Sequence, residues 1–150
     1  MAAQTAGQRR DDSSAPALNI GLELLSDKWR ILILQGVLCR EIRKYSELER
    51  SLGATTNMLA DRLKSMVDSG LLEKRAYRDG QARTRYEYHA TDIGRGAALV
   101  IAAMHQWVTD FSTNEDSPMW VKAGSRLPLR VAFVDPEGNV VSADDAQVTK

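Results

Sequence analysis

Apolar positions recur along this chain first at helical spacing, then by alternation, then at helical spacing again. Leu18, Leu22 and Leu25 fall on one stripe of a helix that Pro16 is suited to open. Ser26 or Asp27 then caps a second helix, from Lys28 to about Leu38. Its WRILILQGVL run is apolar nearly all round, which predicts the buried centre of the domain. Tyr45–Leu52 forms a third helix with Leu48 and Leu52 inward, Glu47 and Arg50 outward, and Gly53 as its stop. The stretch Ala54–Gly70 follows almost at once. Thr55 or Thr56 opens a helix there and Gly70 ends it. Leu59, Leu63, Met66 and Val67 share one face, while Asn57, Asp61, Lys64 and Ser65 take the other, with Arg62 on the flank.

After Gly70 the period shortens to two. Leu71–Arg78 and Thr84–Thr91 read as strands joined by DGQAR, with Asp79-Gly80 as the turn signal. Arg78, Arg83 and Arg85 flank the hairpin tip, and Lys74 and Arg75 lie close by. Thr91-Asp92 then caps a long helix from about Ile93 to Phe111. Its stripe of Ile93, Ala97, Val100, Met104, Trp107, Val108 and Phe111 is longer than so small a domain covers alone. Pairing with a second copy and packing against the N-terminal helix both account for it. Ser112–Ser117 is a polar break. Leu127–Val134 and Val140-Val141, around DPEGN, predict a terminal β-hairpin. The order of parts predicts a mainly α fold with a small β-hairpin wing, a winged helix-turn-helix of the α+β class. Residues 1–15 read as a disordered tail, 16–111 as the DNA-binding and dimerisation domain, and 112–150 as a β-hairpin extension.

Twenty basic and twenty acidic side chains cancel, which at first argues against a nucleic-acid partner. Their distribution reverses that inference. Residues 40–85 hold 11 basic against 7 acidic side chains, and residues 86–150 hold 5 against 9. No apolar run approaches the ~20 residues of a membrane span, and the N-terminus lacks the apolar core of a signal peptide. The expected location is the cytoplasm, which the single Cys39 fits; that residue reads as a small buried hydrophobe. His89 and His105 read as structural or solvated, so neither an enzyme nor a metal centre is expected, and no cofactor.

DKW opening an ILIL helix, KYSEL, MLADRLKSMVDSGLLEKRAY, RYEYHATDIG and a closing HQW together resemble the HxlR family of bacterial winged-helix regulators. The resemblance runs from about Pro16 to Phe111. It implies MarR-like architecture, a homodimer, and an operator near a promoter. Many members answer to stress or small molecules. Many also carry a cysteine at the start of the first helix, where this chain has Ala15-Pro16-Ala17. Ser26-Asp27 replaces a usual glycine pair, and Ala90 a usual leucine. Sensing through the usual thiol is therefore not expected.

The expected partner is operator DNA, read by the helix after Thr55 in a major groove. Asn57 suits adenine, and Asp61 either suits cytosine or is a helix-surface charge pushed away from phosphate, with Met58 beside them. Tyr45, Ser46, Thr55 and Thr56 are placed for phosphates, as are Arg62 and Lys64, which alternatively pair with acids along the helix. Gln81, Arg83 and Arg85, with Arg78, belong to the wing, Arg85 alternatively pointing back along its strand. Leu18, Leu22, Val100, Met104, Trp107, Val108 and Phe111 are the expected dimer contacts. The expected function is a regulator, a repressor by preference, open to a small-molecule effector. A pocket lined by Trp29, Met104 and Trp107 is weighed against a packed core, which is favoured. A winged-helix protein-interaction module without DNA binding is the alternative.

Overall fold

The computed structural model describes residues 21–22, 25–78, 80, 84–111 and 120–149. Tail residues 1–15, most of the helix predicted from Pro16, Asp79 of the turn and the 112–117 break lie outside them.

Helix α1 spans Lys28–Cys39. Asp27 caps it, one carboxylate oxygen accepting the Trp29 N–H at 2.9 Å. Its apolar run places Ile33, Leu34, Gly36 and Val37 in the interior. Helix α2 covers Tyr45–Leu52 and stops at Gly53, whose φ of 59° is left-handed. Helix α3 covers Thr56–Asp68. Gly70, at φ 73°, turns the chain off it, and Leu71 N–H donates back to the Met66 carbonyl at 2.9 Å. The three helices predicted over Lys28–Leu38, Tyr45–Leu52 and Ala54–Gly70 are thus reproduced to within a residue or two. One detail differs: Thr55 stands at the N-cap of α3, but its side chain makes no capping bond.

Strands β1, Leu72–Tyr77, and β2, Arg85–Ala90, pair antiparallel from Leu72 opposite Ala90 to Tyr77 opposite Arg85. Lys44 adds a single bridge to Glu87, and Tyr88 N–H donates to the Arg43 carbonyl at 2.8 Å, so the chain before α2 edges the hairpin. Helix α4 then runs Asp92–Phe111. Thr91 staples its start to the end of α3: the hydroxyl donates to the Gly70 carbonyl at 2.5 Å and accepts the Gly94 N–H at 3.1 Å.

Ile33 and Leu34 of α1, Leu48 of α2 and Leu59, Leu63 and Met66 of α3 are fully buried, and Leu71, Leu72 and Ile101 nearly so. Each such side chain contributes about 1.5–3 kcal/mol on leaving water. This core joins three helices to the root of the hairpin and to the first half of α4. It sets the angle at which α3 is presented.

The C-terminal segment folds back on α4. Gln106 Nε2 donates to the Val131 carbonyl at 3.0 Å, and Val131 N–H returns a bond to Gln106 Oε1 at 2.9 Å. Arg130 pairs with Asp110 at 2.7 Å, and Trp120 Nε1 donates to His105 Nδ1 at 3.3 Å. The terminal hairpin is shorter than expected: β3 is Phe133–Val134 and β4 is Val140–Val141. Pro128 is instead bridged to Val121, and the Val131 backbone is engaged by Gln106, so neither continues the strand. Among the described residues no helix is long and apolar enough to cross a membrane.

Candidate nucleic-acid interface

Helix α3 divides cleanly. Leu59, Leu63 and Met66 have no exposed surface, while Thr55, Thr56, Asn57, Ala60, Asp61 and Lys64 are exposed. The core thus fixes the helix from one side and leaves a polar face of about 20 Å on the other. Asn57 and Asp61, one turn apart, share that face with Lys64, whose ammonium pairs with Asp68 at 3.3 Å. Pairing of Lys64 along the helix was one of the two alternatives read from the sequence, and it leaves two further donors for a phosphate.

The brace between α2 and α3 uses residues expected to meet DNA. Tyr45 Oη donates its only proton to the Thr56 carbonyl at 2.7 Å, so it has none for a phosphate. Burial first, and then the Glu49 carboxylate, push the Tyr45 phenol above its ordinary pKa. Thr56 Oγ1 donates to Glu49 Oε1 at 2.7 Å, keeping only acceptor capacity. Met58 is half-buried against the core rather than offered to a groove. Arg62 departs furthest from expectation. It forms an ion pair with Asp27, the cap of α1, because the flank it occupies packs there, and Ser65 on the same flank accepts from Arg30 at 2.7 Å. Ser46 and Thr55 are exposed.

On the hairpin, Arg78 and Arg85 are exposed at the ends of β1 and β2 toward the tip, with Arg85 opposite Tyr77. Gln81 and Arg83 lie outside the described residues. Three contacts supporting the interface escaped the sequence reading. Lys44 sits 5.3 Å from the Tyr77 ring centre, Lys74 sits 4.7 Å from that of Tyr86, and Glu49 holds Thr56. Alternation along the strands places Lys74 and Tyr86 on one face; no sequence signal marks Lys44 or Glu49.

Ala97 of the α4 stripe packs against the core, but from Val100 on the stripe stays uncovered in the single chain. Val100 is 39% exposed, Met104 41%, Trp107 66%, Val108 50% and Phe111 82%. Leu22 is exposed as well, and Leu18 lies outside the described residues. Trp29 packs against the core while Met104 and Trp107 face outward, so core packing does not gather the three into one pocket. Cys39, expected to be buried, is exposed because it is the last residue of α1, past the buried run; partial burial still pushes its thiol up. His89 lies 3.2 Å from Glu87, and His105 lies 3.2 Å from Gln35.

The HxlR-like helix-turn-helix model matches residues 24–116. The uncharacterized HTH-type transcriptional regulator Rv3095 of Mycobacterium tuberculosis is 30% identical over 97 residues, 65% of this chain and 60% of that protein. The chain thus spans about 60% of that regulator's length. MalR of Fusobacterium mortiferum, a candidate regulatory protein, is 34% identical over 87 residues, 57% of this chain and 80% of MalR. The crystal structure of PA1607, a candidate transcription factor, superposes with a TM-score of 0.76 at 27% identity, covering 93% of this chain and 96% of PA1607. That likeness runs past the family match into the C-terminal segment. Three packed helices, a two-stranded wing, a following long helix and this match over most of the domain agree: the chain belongs to the HxlR-like helix-turn-helix family.

Proposed function

We propose that the chain is a sequence-specific DNA-binding transcriptional regulator, a repressor by preference, that works as a homodimer on a roughly palindromic operator. The observation that carries this reading is the exposed row of Asn57, Asp61 and Lys64 on a helix whose opposite face is fully buried. Such a helix enters a major groove N-terminal end first. Asn57 pairs with adenine N6 and N7, and Asp61 accepts from cytosine N4. The α3 N-terminus has no side-chain cap, so its free N–H groups and the Thr55 hydroxyl face a phosphate, with Ser46 beside them. Lys64, Arg78 and Arg85 add backbone contacts. Gln81 and Arg83 extend the wing contact in this reading.

The partner copy pairs through Val100, Met104, Trp107, Val108 and Phe111, with Leu18 and Leu22 adding to the seam. An exposed apolar stripe of this length calls for a partner. A two-fold axis then sets half-sites about one helical turn, ~34 Å, apart. A small-molecule effector would act on this dimer.

A gel-shift comparing DNA from upstream of the protein's own coding sequence with random DNA of equal length, at one stated salt concentration, tests the reading. A specific complex at least about 10³-fold tighter than the random one is expected. Equal affinity for both would favour a module that binds other proteins.

A further inference from the structure

Among the described residues sixteen large apolar side chains stay exposed, and fourteen of them lie on α4 or on the chain after it. Apolar side chains scattered singly over a surface are ordinary; their concentration on one helix and one segment is not. The C-terminal segment contributes Leu127, Leu129, Phe133, Val134 and Val140, each more than half open. Yet the segment does not lie over the α4 stripe. Its anchors there are the polar His105, Gln106 and Asp110, engaged by Trp120, Val131 and Arg130. Leu99, Ala103, Gln106 and Asp110 follow at spacings of four, three and four. They form one row of the helix, next to the row of Val100, Met104, Trp107 and Phe111. Arg130 meets this row at Asp110 and Val131 meets it one turn earlier, at Gln106, so the segment there runs antiparallel to α4. The two-way bond between Gln106 and the Val131 backbone holds it as a wall along one side of the stripe.

The charge pattern marks the same surface. Between Arg95 and Asp110, fourteen successive residues of α4 carry no carboxylate, ammonium or guanidinium. Residues 127–134 carry one charge, Arg130, and Asp110 neutralises it at 2.7 Å. Charged side chains are depleted at the centres of protein interfaces, and a helix apolar on several sides is one that packing buries. Area points the same way. Lasting homodimers bury upward of about 1,000 Å² of each copy, about 65% of it apolar. At its exposures the stripe from Val100 to Phe111 opens roughly 500 Å² of apolar surface, short of that need. Leu99, Leu129 and Phe133, at 68%, 51% and 59% exposed, add roughly 300 Å² and pass it.

We propose that the C-terminal segment is part of the surface a second copy of this chain covers: the partner's α4 lies against the stripe and against a wall made of Leu99, Leu129 and Phe133. The inference rests on the α4 pairing proposed above and adds the segment to it. A second copy is the occupant that the chemistry selects. Stripe and wall offer no unpaired charge for a dissimilar partner to match. A two-fold axis lets each copy present the same stripe and wall to the other, so that every contact is made twice.

The test is sedimentation of the full chain over a concentration series, without DNA, to give the dimer dissociation constant. Leu129→Glu and Phe133→Glu should each raise that constant at least about tenfold. An unmoved Trp120 indole N–H resonance shows that the segment stays docked in these variants. Leu99→Glu leaves the segment untouched, and it should weaken the dimer to a similar extent. Val148→Glu puts the same charge on a fully exposed side chain beyond the hairpin, and it should change the constant by less than about twofold. If Leu99→Glu, Leu129→Glu and Phe133→Glu all pair as tightly as the wild type, the proposal is overturned and the stripe pairs alone. Weakening by Val148→Glu equal to theirs also overturns it, since added charge then acts wherever it is placed. A wild type that stays a monomer at every concentration overturns the α4 pairing itself, and the segment's part in it, so the two failures are distinguishable.

Discussion

The Asp27 carboxylate serves two helices: one oxygen accepts the Trp29 N–H that starts α1, and the other holds the Arg62 guanidinium of α3. The presented helix is thereby tied to the N-terminus of the buried one. Arg62 is spent on that tie rather than on the exposed row.

Removing the tie should cost more than a cap alone. Loss of an N-cap costs about 1 kcal/mol. The ion pair, with side chains 39% and 22% exposed, adds at most about 1 kcal/mol after solvent screening. Asp27→Ala should therefore destabilise by about 1–2 kcal/mol and Arg62→Ala by less, measured by urea unfolding. The double variant should fall short of the sum, since both lose the same pair. Strict additivity would show that the pair contributes nothing.

Gly94 allows α4 to cross the end of α3. A Cβ built there would lie 2.0 Å from the Leu71 carbonyl oxygen, against backbone that cannot swing aside. Gly94→Ala should destabilise by at least about 1–3 kcal/mol, although alanine is the better helix former. Gly96, two residues or about 3 Å of helix further on and with nothing within 4 Å of its would-be Cβ, is the control. Gly96→Ala should be neutral or stabilising in the same melt.

How far the sequence reached follows from which forces act locally. The caps at Asp27 and Thr91, the stops at Gly53 and Gly70 and the alternation of the hairpin are all set by near neighbours, and each stands where it was expected. The burial of Leu59, Leu63 and Met66 follows from helical period. The pairing of Arg62 with Asp27 spans 35 residues, and no period or motif encodes which flank of α3 meets α1. The same holds for Tyr45 donating to Thr56, and for Gln106 gripping Val131. The sequence names the polar residues of a face; packing decides which of them keep a free hydrogen-bonding group.

The terminal hairpin is sensitive to acid through its turn. The Asn139 side chain foremost, then its backbone N–H, hold the Asp135 carboxyl below the ordinary carboxylate range; these contacts measure 3.0 and 2.8 Å. A folded pKa below the unfolded one adds stability that is complete above the unfolded value and is lost as pH falls through the folded value. The turn should therefore hold at neutral pH and loosen only below about pH 4. Following the Asn139 amide resonance against pH checks this. Asp135→Ala should remove the titration, and a midpoint at or above that of a free aspartate would contradict it.

Exposure of Trp107 and Phe111 separates assembly from folding. Both are exposed in the single chain, at 66% and 82%, so charges there should leave the melt of a monomer nearly unchanged. On the proposed pairing, the wild type should sediment as a dimer and Trp107→Glu/Phe111→Glu as a monomer, and a wild type that stays a monomer would contradict the pairing. An unaltered dimer would place the seam elsewhere.

The central claim is that the exposed face of α3 reads DNA while the wing and its neighbours hold the backbone. Fluorescence anisotropy against the operator and its single-base variants, over a series of salt concentrations, tests it most directly. Asn57→Ala should cost about 1–3 kcal/mol and relax preference at one base position, with the salt slope kept. Arg78→Ala should weaken all sequences alike and flatten the slope by about one unit. If both variants bind every sequence as the wild type does, with the same salt slope, α3 and the wing are not the DNA-reading elements.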